Sequence, residues 1–135
     1  MELEAVLEHE TEKKALYCDL DMFKLVYHSY IRGAERNSNS ICLGLVDITD
    51  IQDGMLSKRS LVTCATNLKE LICNNLRSGD IVTMCTPSQF ALILQNTTEE
   101  TAMIAMERIK TTFYKQYPHT PAKLTCHARS IVKNS

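Results

Sequence analysis

The sequence predicts an α+β domain in which the elements run β-α-β-β-α-β, with one extra helix in front. Three observations carry that expectation. ICLGLVDI (41–48) is a nearly continuous apolar strand of the kind buried on both faces. IVTMC (81–85) and QFALIL (89–94) are short strands joined only by Thr86-Pro87-Ser88, which reads as a hairpin. On either side of that pair, apolar residues recur at helical spacing. Two right-handed β-α-β units joined by a hairpin form a ferredoxin-like, antiparallel four-stranded sheet with the crossover helices on one face. Strands 41–48 and 89–94 are then central, with 81–85 and 123–132 at the edges.

The elements follow in chain order. Residues 1–14 hold five Glu against Lys13 and Lys14, a balance of −3, with a thin stripe of Leu3, Val6 and Leu7. They read as an acidic linker or stalk helix leading out of a longer protein, and residues 15–135 as the domain. From residue 22, Phe23, Val26, Tyr27, Tyr30, Ile31 and Ala34 form a helical face, with Asp19 or Asp21 as its cap. The turn-forming Asn37-Ser38-Asn39-Ser40 ends it. After the first long strand and the polar TDIQDG (49–54), a second helix aligns Leu61, Cys64, Ala65, Leu68, Leu71, Ile72 and Leu76, ending at Ser78-Gly79. Past the hairpin, Thr97 with Glu100 fits a capping box. The helix it opens aligns Ala102, Ala105, Met106, Ile109 and Phe113, and stops at Tyr117-Pro118. KLTCHARSIV (123–132) then alternates, with Leu124, Cys126 and Ala128 on one face.

Composition narrows the partners. The 135 residues carry 15 Lys+Arg against 16 Asp+Glu, a formal net charge of −1. That is against a nucleic-acid or membrane-surface grip built on excess positive charge. No apolar run approaches the roughly 18–20 residues that span a bilayer. The charged start does not resemble a signal peptide, so a cytoplasmic protein is expected. Cys18, Cys42, Cys64, Cys73, Cys85 and Cys126 include no C-x-x-C pair and read as small buried hydrophobes, not as a zinc site. His9, His28, His119 and His127 have no nucleophile or carboxylate at triad spacing. Met103, Met106, Phe113 and Tyr114 read as helix packing.

The topology places Asp47, at the end of the first central strand, beside Thr86, Pro87, Ser88 and Gln89. A strand-end acid there is either a metal ligand or a loop cap. LRSGDIVTMCTPSQFALIL (76–94) resembles the signature of GGDEF diguanylate cyclase domains, where Arg-x-x-Asp precedes GGDEF-F and an apolar strand. Arg77 and Asp80 match the former, and Thr86-Pro87-Ser88-Gln89-Phe90 falls where GGDEF should be. LVDIT (45–49) resembles the family's L-x-D-I-D strand end, and residues 96–113 resemble the helix that follows the hairpin. The earlier CDLDMFK (18–24) imitates the metal-bearing D-x-D-x-F-K but lies too far upstream. It is assigned to the leading helix, with Asp19 and Asp21 capping and Phe23 packing.

The resemblance implies a site as well as a fold. In active members, two Gly let the hairpin backbone approach nucleotide phosphates, and acidic residues bind two Mg²⁺. Here Pro87 replaces the second Gly, removing an N–H and fixing φ. Ser88 and Gln89 replace the acids, Thr49 stands for the second strand-end acid, and the guanine-reading Asn and Asp have no clear counterpart in 50–60. Asp47, Thr86, Pro87, Ser88 and Gln89 are therefore expected to be remnants of a nucleotide and metal site. No catalytic residue, metal or cofactor is expected, and the protein is not expected to be an enzyme.

Arg77-x-x-Asp80 survives, and in the family such a pair forms an inhibitory site for cyclic di-GMP. It either binds a cyclic dinucleotide or fixes the turn before the strand. The chain as a whole resembles the C-terminal degenerate GGDEF-like module of bacterial transcriptional activator domain (SARP/BTAD-type) regulators. Tyr17-Cys18-Asp19, Phe23, Ala34-Glu35-Arg36 and Ser88-Gln89-Phe90 carry that likeness in order. It implies a non-catalytic module for signal transmission or self-association. Its partners would be a second copy or upstream domains, and DNA contact would belong to another part of the parent protein.

Overall fold

A computed structural model describes residues 14–37, 39–52 and 54–132. The elements are β1 (Leu16–Tyr17), α1 (Leu20–Asn37), β2 (Ile41–Asp50), α2 (Lys58–Asn75), β3 (Ile81–Thr86), β4 (Gln89–Gln95), α3 (Glu99–Gln116) and β5 (Ala122–Val132). The expected β-α-β-β-α-β order is present from β2 onward. The linker expected over 1–14 lies outside the described residues, apart from Lys14.

The strands form one sheet in the order β1-β3-β4-β2-β5. β2 and β4 are central and antiparallel, with Gly44 opposite Leu92 and Asp47 opposite Gln89. β5 pairs along the full length of β2. The sheet differs from the expected one in a single strand: β1 runs parallel to β3, with Leu16 opposite Ile81. It turns four antiparallel strands into five mixed ones and covers the β3 edge. Two residues are too few to show a period, which is why the sequence pattern does not reveal them.

Alternation along β2 divides the core. Cys42, Val46 and Ile48 face one way and join Leu68, Ile72, Met106, Ile109 and Phe113 of α2 and α3 in the larger cluster. Ile41, Leu43 and Leu45 face the other way, with Phe23, Val26, Tyr27 and Ala34 of α1. The two crossover helices share one face, as expected, and the leading helix covers the other. A sheet coated on both faces needs apolar residues at successive positions, hence the unbroken run 41–48. Gly44 lets α3 approach closely: a Cβ there would lie 3.1 Å from the Met106 Sδ and Cε, so Met106 would have to shift by a few tenths of an ångström.

The helix ends show which capping signals the fold uses. Asp19 Oδ1 accepts from Met22 N at 2.8 Å, so Asp19 and not Asp21 caps α1; Phe23 is buried. The CDLDMFK segment is thus a helix start. Ser57 caps α2 by accepting from Ser60 N. The α3 cap is Thr98, accepting from Thr101 N, rather than the expected Thr97. The Thr97 hydroxyl is engaged elsewhere, donating to Gln95 O at 2.7 Å and accepting from Arg77.

Candidate functional site

The antiparallel β3–β4 pair has two ends, and the sequence places one candidate site at each. At the hairpin end, the two-residue turn Pro87-Ser88 is followed by Gln89, directly opposite Asp47. The expected proximity is observed: Gln89 Nε2 donates to Asp47 Oδ1 at 2.8 Å, and Ile48 N donates to Ser88 O at 2.8 Å. The other carboxylate oxygen, Oδ2, lies 3.8 Å from His127 Nε2 on β5. The Thr86 hydroxyl accepts from Ser88 N at 3.2 Å, closing the turn on itself. The Thr49 hydroxyl donates to Lys123 O on β5 at 3.5 Å.

The chemistry of this end follows from its donors. Asp47 brings one carboxylate, accompanied by a neutral amide, two hydroxyls and an imidazole. Hard dications favour carboxylate oxygens. The Gln89 N–H₂ group is a donor directed at one of the two Asp47 oxygens, where an acid would have added a second carboxylate. The Mg²⁺ pair implied by the family resemblance does not fit this donor set. Among the described residues, no three His, Cys, Asp or Glu side chains cluster as metal ligands.

At the opposite end, the α2–β3 turn carries Arg77 and Asp80. Asp80 is 3% exposed. Its Oδ2 accepts from Arg77 N at 3.0 Å, and Oδ1 accepts from Gln95 N at 3.2 Å. Burial raises its carboxyl above the ordinary value of 3.8; the amide bonds and the Arg77 charge pull the other way without cancelling it. The Arg77 side chain is 65% exposed, with Nε 3.8 Å from Asp80 Oδ2. Its NH2 group donates to Gln95 O at 2.6 Å and to Thr97 Oγ1 at 2.9 Å.

Gly79 completes the turn at φ +98°, a conformation that strongly favours glycine. Its carbonyl accepts from Tyr30 Oη at 3.1 Å and from Gln95 Nε2 at 2.9 Å. Thus α1, the α2–β3 turn and the end of β4 are tied together here. Sequence spacing did not reveal Arg108, which lines the same pocket of about 230 Å³ as Arg77 and Asp80. Its distance along the chain hides it, since α3 reaches this turn only through the crossover.

The six cysteines are all free. Cys42 and Cys64 are buried and the other four half-buried. Burial raises every one of their thiols, with Cys64 and Cys126 pushed up to about 11. They are neutral packing groups at physiological pH; the buried reading holds for Cys42 and Cys64, while Cys18, Cys73, Cys85 and Cys126 are only partly covered.

No protein-family model and no curated protein matches this sequence. Solved structures do. The DGC protein from Thermotoga maritima is 19% identical with a TM-score of 0.70, over 90% of this chain and 86% of that one. The GGDEF domain of DgcB from Caulobacter crescentus, in complex with cyclic di-GMP, is 11% identical with a TM-score of 0.68, over 84% and 72%. The active GGEEF domain of a diguanylate cyclase from Vibrio cholerae is 19% identical with a TM-score of 0.56, over 76% and 69%. At such identities the likeness is one of fold. The mixed sheet with helices on both faces is the α+β fold of GGDEF domains.

Proposed function

We propose that this chain is a GGDEF-fold module working without diguanylate cyclase chemistry, as a regulatory, signal-transmitting or self-associating part of a cytoplasmic bacterial transcriptional regulator. One observation carries the non-catalytic reading: the Gln89 amide donates to Asp47 at the hairpin position where the resemblance puts an acid. Two-metal phosphoryl transfer clamps the attacking and leaving oxygens between dications. An amide donor beside a lone carboxylate supports no such clamp, and Pro87 withholds a backbone N–H from any phosphate.

The regulator context rests on the sequence resemblance. Its matched residues occupy defined places: Asp19 caps α1, Ala34-Glu35-Arg36 lie in its last turns, and Ser88-Gln89-Phe90 open β4. Calorimetric titration with GTP and Mg²⁺ tests the non-catalytic reading. No Mg²⁺-dependent binding that Asp47→Ala abolishes is expected, and finding such binding refutes it. Sedimentation tests self-association, where a monomer at high concentration removes that part.

A second reading, a cyclic dinucleotide receptor, is favoured by Arg108. Two guanidiniums, Arg77 and Arg108, line one pocket, and guanidinium pairs well with phosphate. Against it, both Asp80 oxygens already hold backbone amides. Cyclic di-GMP binding that Arg108→Ala abolishes would establish this reading. A titration without heat to millimolar concentration would leave Arg77 and Asp80 as a turn clamp.

A further inference from the structure

A third region is independent of both ends of the hairpin pair. Between α2 and the segment where α3 runs into β5, a cleft of about 460 Å³ opens to solvent. Pockets of about 300–1,000 Å³ hold small organic ligands, typically on apolar walls with a few polar groups. Phe113 and Tyr117 from α3 and its cap, with Pro118 and Pro121 beyond, supply such walls. The Phe113 and Tyr117 rings are tilted at 44° with centroids 5.0 Å apart, so each braces the other. Successive turns of α2 contribute Ser60, Thr63 and Asn67, and the buried Cys64 lies between them.

The charge of the cleft selects among apolar ligands. Arg59 is the only Lys, Arg, Asp or Glu among the described residues that line it, and the exposed imidazole of His119 lines it as well. The Cys64 thiol, pushed up to about 11 by burial, adds no negative charge. The far rim is anchored, since Ile51 N donates to Pro121 O at 2.9 Å. The cleft therefore has apolar sides from Phe113, Tyr117 and the two prolines, hydroxyl and amide groups on the α2 wall, one guanidinium and one imidazole.

We propose that this cleft binds a small organic anion of one or two fused rings, with the rings between the α2 wall and Phe113–Tyr117 and the acid group toward Arg59. This goes beyond the regulatory reading, because it uses neither Asp47 and the hairpin nor Arg77 and Asp80. The probe is 1-naphthoate, titrated into the ¹⁵N-labelled 135-residue chain and followed by amide chemical shifts, with 2-naphthol as neutral comparator. Saturable shifts confined to residues 59–67 and 113–121 are expected. Thr63→Phe and Ser60→Phe, which fill the cleft from its α2 side, should each weaken naphthoate binding by about tenfold or more. Arg59→Ala should weaken naphthoate by about fivefold or more and leave 2-naphthol unchanged.

Shifts that stay linear to the solubility limit, or spread across the sheet, overturn the site. So does saturable binding that persists unchanged in both filled variants while their remaining spectra match the parent. Equal weakening of naphthoate and naphthol in Arg59→Ala overturns the anion assignment. None of these outcomes depends on GTP or cyclic di-GMP, so failure here is separable from failure of the regulatory reading.

Discussion

The two ends of the β3–β4 pair use the same kind of residue differently. At the turn end, the Asp80 carboxylate is buried and both its oxygens hold backbone amides. At the hairpin end, the Asp47 side chain is about one-third exposed, with one amide bond and a distant imidazole. A buried, saturated carboxylate specifies local backbone geometry, because each N–H it satisfies would otherwise be unpaired. Around a carboxylate one-third exposed, water can take over the bond it makes. The difference separates a carboxylate that holds the α2–β3 turn and the end of β4 in place from one that the backbone around it does not depend on.

The widest separation between the ends should appear on truncation. Asp80→Ala strands the amides of Arg77 and Gln95 inside the protein and should cost about 3 kcal/mol in urea unfolding. Asp47→Ala should cost under about 1 kcal/mol. Equal losses would erase the distinction. Next in size is Gly79→Ala, which forces a side chain onto φ +98° with its Cβ 3.2 Å from Gln95 Nε2. A loss of about 1–2 kcal/mol is expected, read as a lower midpoint at unchanged slope.

At the other end, Gln89→Glu replaces an amide donor with a carboxylate beside Asp47. Mutual repulsion and the lost bond should cost about 0.5–1 kcal/mol at pH 7. Protonation relieves the repulsion, so the variant should recover toward the parent as pH falls to about 4. A variant as stable as the parent at pH 7 would mean that the Asp47–Gln89 bond contributes nothing.

The smallest effect concerns protons at Asp80. Its folded-state value is raised above 3.8, so the folded chain holds that proton more tightly than the unfolded chain does. The resulting stabilisation is complete below about 3.8 and is lost as pH rises through the folded value. Urea unfolding between pH 3.5 and 7 should show the parent's advantage over Asp80→Asn narrowing as pH rises. An advantage that widens would mean the amide bonds and Arg77 outweigh burial.

Much of the fold was legible because its signals are repetitive. The uninterrupted apolar run at 41–48, the helical faces of α2 and α3 and the tight Thr86–Ser88 connection each repeat a pattern that chance seldom produces. β1 was not, since a two-residue strand has no period. The α3 cap was misplaced by one residue because Thr97 and Thr98 carry the same hydroxyl, and only the tertiary claim of Arg77 on Thr97 distinguishes them. At the sites, the placement of Asp47 beside the hairpin residues 86–89 followed from topology, while its bond to Gln89 is seen only in the structure. Arg108 and the cleft beside Arg59 did not, because they unite residues from separate helices that only packing brings together.

Turnover at the hairpin end tests the non-catalytic reading most directly. The purified chain should be incubated with GTP and Mg²⁺, and cyclic di-GMP formation followed by chromatography. An amide-capped lone carboxylate predicts no product above the enzyme-free control, unchanged in Asp47→Ala. Sustained formation of cyclic di-GMP that Asp47→Ala abolishes would contradict it.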